Sequence, residues 1–453
     1  MATILKQIED AGIVGAGGAG FPTAVKFDTQ AEYLIVNAAE CEPLLKTDHF
    51  VMNNHASEVV EAILLVKASL QAKYAVIATK SYYTAEVEAL TQAISAAEAD
   101  IELHLMENFY PAGDEQVMVF EVTGRVVPAA GLPIQVGCVV SNITTMLNVY
   151  QALIHNQPVI RKQLTITGAV NAPTLLDVPI GTPFEKCLDA AGGTSLQDYL
   201  FIDGGPMMGK IYTQNELADK VVAKTTSGLI IKEDSGYLSK LKHQTLEYVF
   251  TEARAACMQC TLCTQLCPRQ NLGHEVFPHK VMRYFGGIAS YRDIDYNEDS
   301  AEILQGAQIC CACGICEVIA CPMGLSPRQV NLHVKNELAK LGVKYETRKT
   351  EYKADPMRDY REVSPNNILI KMGLTKFAER HLTEMKRLDV DEVFIPLRMH
   401  IGLPSQPIVK EGDKLNEGDL IAKKPADALG ANIHSSISGT VMKVTNQLIH
   451  IKA

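Results

Sequence analysis

Two cysteine runs dominate the chemistry available to this chain: Cys257-x2-Cys260-x2-Cys263-x3-Cys267-Pro268 and Cys310-x2-Cys313-x2-Cys316-x4-Cys321-Pro322. Three thiolates in consecutive x2 steps, with a fourth just before a proline, nearly match the spacing by which a short turn presents three sulfurs to one cubic iron–sulfur cluster and sends the fourth to another. Structural zinc more often uses pairs of C-x2-C knuckles a dozen or more residues apart. The runs therefore predict two [4Fe-4S] clusters and a chain that carries single electrons.

If the pairing follows two-cluster ferredoxins, Cys257, Cys260, Cys263 and Cys321 hold one cluster, and Cys310, Cys313, Cys316 and Cys267 hold the other. The second run has four residues between Cys316 and Cys321 where the ferredoxin spacing has three; the extra residue either makes a local bulge or changes the reach of Cys321. Cys311 fits no x2 frame and reads as a packed thiol. Cys138 and Cys187 read as core, and Cys41 as packed or reactive. His274 and His279 follow a run that already supplies four ligands, so solvated or capping roles are expected of them.

The second candidate site is the stretch Gly12-Ile-Val-Gly15-Ala16-Gly17-Gly18-Ala19-Gly20-Phe21-Pro22-Thr23. So many glycines let backbone N–H groups converge and let a flat or anionic ligand approach closely. The stretch lacks the Lys-Ser/Thr ending of a P-loop and follows no strand, so a phosphate loop and a plain tight connection both remain open.

The elements that must position these residues follow from periodicity. YLIVNAAE (33–40) and KYAVIATK (73–80) read as buried parallel strands, with HASEVVEAILLVKASL between them as a helix, an α/β pattern. From Gln163 the texture changes to LTITGAV and YLFIDGGPMMG around a helix at GTPFEKCLDAAGG, a small β-rich module. A polar connection is expected from Thr225 to Lys242, a largely helical cluster segment over about 250–345, and further helix through SPNNILIKMGLTKFAERHL. Beyond Asp391 the pattern is β, with a Gly-Asp turn at Gly412-Asp413 and again at Gly418-Asp419.

Composition narrows the function classes. The chain has 453 residues, enough for about three domains, with 47% hydrophobic and 21% charged residues. No apolar run approaches the roughly eighteen residues that a spanning helix needs, so no transmembrane segment is expected. The N-terminus MATILKQIEDAG carries acidic residues where a signal peptide has an apolar core, which predicts a cytoplasmic location. A net charge of −10 argues against nucleic acid as a partner. Twelve cysteines, eight of them in the two runs, suit reducing surroundings better than a disulfide scaffold.

GAGGAGFPTAVKF followed by YLIVNAAECEP resembles the flavin-binding domain shared by the NADH-oxidising subunit of respiratory complex I and the RnfC electron-transport subunit. The resemblance implies a Rossmann-like domain in which FMN is held by Gly15, Gly17, Gly18 and Lys26, by Asn37, Glu40 and Glu42, by Tyr110, Gly113, Asp114 and Glu115 of YPAGDEQ, and by Asn142, Thr144 and Thr145 of SNITT. The complex I pattern has an arginine where this chain has Ala16 and an aspartate where it has Ala39, departures that lie closer to RnfC and bear on the NADH contacts. RKQLTITGAVNAP and DGGPMMGK resemble the SLBB β-grasp module, and HIGLPSQPIVKEGDKLNEGDLIA with IHSSISGTV is similar to the barrel-sandwich hybrid of RnfC. That last module resembles lipoyl carriers but has no A-M-K-M motif, so Lys423 and Lys424 are expected to pack or interact, not to be modified.

The implied organisation is multidomain α/β and α+β: an FMN/NADH-binding domain over 1–160, a β-grasp module over 161–215 and a connection over 216–249. A helical bis-[4Fe-4S] domain over 250–345, a helical connection over 346–390 and a β barrel-sandwich hybrid over 391–453 follow. In RnfC the barrel-sandwich module comes first; with the module last, the order resembles the cobalamin reductases of propanediol-utilisation microcompartments. That family implies a two-electron to one-electron converter: NADH reduces FMN, the two clusters pass electrons singly, and oxidised cobalamin accepts them for a corrinoid adenosyltransferase. Association with microcompartment proteins is implied in the same way. No D-x-H-x-x-G corrinoid motif occurs, so cobalamin is expected as a transient substrate. The alternatives are an RnfC-like peripheral subunit of a membrane NADH:ferredoxin complex, or an electron relay for an amino-acid reductase without an NADH site.

Overall fold

The computed structural model describes residues 2–347, 349 and 351–453. The chain divides into two compact units. One is formed by Met1–Glu107, Gly137–Asp234 and Glu379–Ala453, the other by Asn108–Val136 and Ser235–Ala378.

In the first unit, strands β1 (Tyr33–Asn37), β2 (Tyr74–Lys80), β3 (Glu102–Met106) and β4 (Cys138–Asn142) form a parallel sheet in the order β3-β2-β1-β4. Leu34, Ile35 and Val36 of β1 are fully buried, as is Val76-Ile77-Ala78 of β2. Such unbroken apolar runs are the signature of strands covered on both faces. The helix Ala56–Leu70 buries Val59, Val60, Ile63, Val66 and Leu70 along one stripe and ends at Gln71 in a left-handed conformation. β1 stops three residues short of the expected Glu40. The reason is local: the Asn37 side-chain oxygen accepts from Ala39 N at 3.1 Å and turns the chain out of the strand.

A second, six-stranded sheet has the order β10-β6-β5-β9-β7-β8. It comprises β5 (Arg161–Gly168), β6 (Thr174–Pro179), β7 (Tyr199–Asp203), β8 (Lys210–Thr213), β9 (Gly228–Glu233) and β10 (Met385–Arg387). The β5–β6 hairpin is antiparallel, β9 runs parallel to β5, and the helix Phe184–Ala190 covers a core built on Leu164, Ile166, Phe184, Phe201 and Ile231. Two strands fall where the sequence predicted connections. β9 lies inside the expected polar link because only its first four residues, Gly-Leu-Ile-Ile, are buried and charged residues follow at once. β10 is three residues long and pairs parallel with β6 inside the expected helical link.

The remaining strands make two small sheets. β11 (Glu392–Pro396), β13 (Lys414–Leu415), β16 (Gly439–Val444) and β17 (Leu448–Lys452) form one, and β12 (Gln406–Pro407), β14 (Leu420–Lys423) and β15 (Ile433–His434) the other. The two Gly-Asp turns are built alike: Gly412 and Gly418 have φ of 89° and 90°, and the Asp413 and Asp419 carboxylates accept from the backbone three residues earlier.

The second unit is helical among its described residues. Leu246–Ala256, Pro278–Gly287 and Pro327–Lys340 pack around Val249, Phe250, Phe285, Val330 and Val334, with the Phe250 and Phe285 rings edge to face at 5.1 Å. Four helices of this unit, starting at Pro268, Pro278, Pro327 and Pro365, have proline in their first turn, where a missing N–H costs nothing. The helix expected to run on through His381 ends at Met372, because Gly373 takes a left-handed conformation at φ 66°.

Candidate cofactor sites

Asn37 and Asn142 are register partners at the carboxyl ends of β1 and β4. The strand order reverses between these two, and such a switch point opens a crevice for ligands. Asn142 caps the helix Ile143–His155, its oxygen accepting from Thr144 N and Thr145 N, while its amide donates to Asp48 at 2.8 Å. Thr144 Oγ1 donates to the same carboxylate at 2.7 Å. The glycine stretch lies against this helix start: Ala16 N donates to Thr145 Oγ1 at 2.9 Å, and Gly15 N to Phe21 O at 3.0 Å closes the turn. A Cβ on Gly17 would come within 2.7 Å of the Asn142 amide, whereas Gly18 faces open space. Gly17 and Gly18 are exposed. An uncovered glycine backbone at a switch point fits a flat anionic group such as FMN. Lys26 reaches the β4 backbone, donating to Val140 O at 2.9 Å.

Charged groups are packed beneath this edge. Burial, then the neighbouring Asp48 carboxylate, pushes Glu40 up to about 8. Burial raises Asp48 too, against the hydrogen bonds from Thr144 and Asn142. Lys162, on β5, is 5% exposed and donates to Ala16 O at 3.1 Å; burial brings its pKa down to about 8 although Asp48 and Glu40 favour its charge. Lys80, 1% exposed at the end of β2, is likewise lowered by burial. Lys224, also buried, donates to Gly12 O at 2.6 Å and Asn432 O at 2.8 Å, tying the start of the glycine stretch to the C-terminal sheets. Glu42 accepts from Met207 N at 2.8 Å and Met208 N at 2.9 Å, so DGGPMMG wraps its carboxylate. Ala16 and Ala39 are 3% and 2% exposed, so the positions where complex I carries charge are closed packing positions here.

The cysteine runs repeat one backbone path. Gln259 and Ala312, each two residues after the first cysteine, have φ of 55° and 58°, and Thr261 and Gly314, each after the second, have 68° and 84°. The x4 spacing is absorbed by a π-helical turn over Cys316–Ala320, a widened turn that takes in one extra residue. The fourth cysteines consequently adopt matching conformations, Cys267 at φ −69°, ψ 119° and Cys321 at φ −80°, ψ 110°. A hollow is lined by Cys257, Cys260, Cys263 and Cys321, thiols from both runs, together with Met258, His279 and Met323. Burial, then the thiolates of Cys257, Cys321 and Cys260, raises Cys263 to about 12. Cys316 responds chiefly to Cys310 and Cys267 once burial is counted, and more weakly to Cys263. Cys313 responds to Cys311, Cys267 and Cys316. Among the described residues no three His, Cys, Asp or Glu side chains close up as a single metal ion requires. Four thiols around a hollow suit a larger, cubic body. N–H groups already point at sulfur: Gln259 Nε2 lies 3.1 Å from Cys257 Sγ, and Ala312 N and Leu325 N lie 3.4 Å from Cys310 and Cys321 Sγ.

Of the residues expected at the flavin, Gly15, Gly17, Gly18, Lys26, Asn37, Glu40, Glu42, Asn142, Thr144 and Thr145 share the first unit, whereas Tyr110, Gly113, Asp114 and Glu115 belong to the second. Cys138 and Cys187 are core, both fully buried. Cys311 is half-buried, and its thiol acts on that of its neighbour Cys313. His274 is not solvated: it is 2% exposed, its Nε2 lies 2.9 Å from Val127 O, and burial lowers it to about 4. Sequence reasoning missed Asp48, Lys80, Lys162 and Lys224. For Lys162 a signal existed, because it shares the inward phase of β5 with Leu164 and Ile166.

A flavin-type α/β sheet, a β-grasp sheet, two small C-terminal sheets and two cysteine runs, four of whose thiols surround a hollow, define an electron-transfer flavoprotein with iron–sulfur centres. Comparison with known families agrees module by module. Residues 8–151 match the Nuo51 FMN-binding domain, 163–210 the SLBB domain, 256–326 the 4Fe-4S dicluster domain and 370–453 the RnfC barrel sandwich hybrid domain. The chain is 39% identical over 451 residues to the cobalamin reductase PduS of Citrobacter freundii, covering 99% of this chain and 96% of that one. It is 38% identical to the protein of the same name from Salmonella typhimurium, with the same coverage. A component of the Na(+)-translocating ferredoxin:NAD(+) oxidoreductase complex of Acetobacterium woodii is 34% identical over 270 residues, 58% of this chain and 57% of that one. The chain belongs to the PduS cobalamin reductase family.

Proposed function

We propose that this protein is an NADH-dependent flavin and iron–sulfur reductase whose acceptor is oxidised cobalamin. The observation that carries the reading is the hollow bordered by thiols of both runs, Cys257, Cys260 and Cys263 with Cys321, in a chain similar end to end to named cobalamin reductases. The donor assignment is supported by the relative named as part of a ferredoxin:NAD(+) oxidoreductase complex. FMN converts a hydride into two single electrons when bound, and [4Fe-4S] clusters carry them one at a time.

The chain's own residues bind, shield and aim. Gly15, Gly17 and Gly18 offer backbone to the flavin, with Lys26, Asn37, Glu40, Glu42, Asn142, Thr144 and Thr145 around them. Cys257, Cys260, Cys263 and Cys321 hold one cluster and Cys267, Cys310, Cys313 and Cys316 the other. Cys313 and Cys316 are 8% and 9% exposed, whereas Cys260 is exposed on a rim with Met258 and Met323, 63% and 45% exposed. Cys260, with Met258 and Met323 beside it, would be the open side of the cluster site, the side that an acceptor could approach. A place beside a corrinoid adenosyltransferase in a propanediol-utilisation microcompartment is part of the same proposal, supported by the kinship with PduS proteins. No helix among the described residues is long and apolar enough to cross a membrane.

The test is anaerobic. Reconstituted protein is given FMN, then NADH, with and without hydroxocobalamin, while absorbance is followed. Bleaching of flavin and clusters, then reoxidation as the cob(II)alamin or cob(I)alamin spectrum grows, is expected. Bleaching without corrinoid turnover would transfer the reading to another acceptor, and no bleaching would reduce the protein to a relay.

A further inference from the structure

Tyr110 and Asp114 lie in YPAGDEQ, the segment that resembles a flavin contact, yet their polar atoms are turned elsewhere. The Tyr110 hydroxyl, on a side chain 2% exposed, donates to Cys313 O at 2.8 Å. Asp114 receives Arg269 as a two-pronged pair, Nη1 to Oδ1 at 2.7 Å and Nη2 to Oδ2 at 2.8 Å. Asp114 Oδ1 also caps the helix Glu115–Thr123, accepting from Gln116 N and Val117 N. Arg269 is 8% exposed and stands two residues after Cys267, and its charge acts on the Cys311 and Cys313 thiols as well as on Asp114. A fixed cation and its counter-charge beside a cluster are among the levers that set its potential.

We infer that Tyr110, Asp114 and Arg269 are positioning residues of the cluster held by Cys267, Cys310, Cys313 and Cys316, Tyr110 fixing the Cys313 turn and the Asp114–Arg269 pair setting the local charge. The inference rests on the cluster reading above. It assigns three side chains to the chain's internal electron path. Charge makes the signs opposite: an uncompensated arginine favours the electron-rich cluster, and an uncompensated aspartate disfavours it.

The experiment is a redox titration of reconstituted holoprotein followed by electron paramagnetic resonance, with iron and FMN content measured in parallel. Asp114→Asn is expected to raise one of the two midpoint potentials and Arg269→Gln to lower the same one, each by at least a tenfold change in the reduced-to-oxidised ratio, 59 mV for one electron. Arg269→Lys, which keeps the charge, is expected to stay near wild type and guards against a variant that merely misfolds. Tyr110→Phe is expected to weaken that same signal and spare the other. Wild-type protein with fewer than two cluster signals would overturn the cluster reading itself. Two signals unmoved by both charge variants, or moved in one direction by both, would overturn the inference, as would loss of FMN with unchanged potentials.

Discussion

At the scale of single residues, Asp48, Lys80, Lys162 and Lys224 are charged groups buried beneath the flavin edge. Spacing alone named eight thiols, because cluster ligation leaves a local pattern; Asp48, Lys80 and Lys224 leave none, since each acts on groups distant in sequence, and Lys162 shows only as an inward position of β5. Their burial has a measurable result. Glu40 is raised to about 8 from an ordinary 4.5, so the stability contributed by its protonated form is complete below about 4.5 and is lost as pH rises through about 8. Lys162 is lowered to about 8 from 10.5, so its contribution is present above about 10.5 and is lost as pH falls through about 8. FMN-free protein should therefore show a stability trough near pH 8, and Glu40→Gln should shrink its acid-side limb, to which the raised Asp48 also contributes; urea midpoints at about pH 5, about pH 8 and about pH 10.5 are the check. The cysteine grouping is tested as directly. Cys260→Ser and Cys321→Ser, 61 residues apart, should abolish the same resonance signal and leave about four irons per chain, while Cys267→Ser should abolish the other. Unrelated spectra from the first pair would dissolve the crossed arrangement.

At the scale of elements, the π-turn at Cys316–Ala320 decides whether an irregular run can work. The sequence left a bulge and a changed reach both open; the geometry is a bulge, and Cys321 keeps backbone angles close to those of Cys267. The turn is pinned by Glu317, 1% exposed, whose carboxylate takes Arg328 Nε at 2.7 Å. Glu317→Gln leaves that arginine without its counter-charge and should cost about 3 kcal/mol or more in chemical denaturation. An unchanged midpoint would mean that the turn is held by packing alone. Strands β9 and β10 escaped the sequence for a related reason: each is short or half-polar, and pairing partners far along the chain make it a strand, which periodicity cannot register.

At the scale of the whole molecule, the module order was readable, but the division into compact units was not, since the first unit draws on three separated stretches. Glu42 is one stitch between them. A Cβ on Gly205 would fall 2.2 Å from its carboxylate, so Gly205→Ala should break the hydrogen bonds from Met207 and Met208, lower stability by about 1–3 kcal/mol and weaken FMN binding. Calorimetry and flavin fluorescence would report both, and retention of full FMN affinity would separate the stitch from the flavin edge. The interleaving also bears on biosynthesis. The cysteine-bearing unit is fully translated at Ala378, whereas the glycine stretch still awaits Asn432, the partner of Lys224. At about 5–20 residues per second the last 75 residues take several seconds. Synthesis thus runs from the flavin residues through the thiols to the strands that clamp Gly12 through Lys224, so the brace on the glycine stretch is the last part of the site to be made.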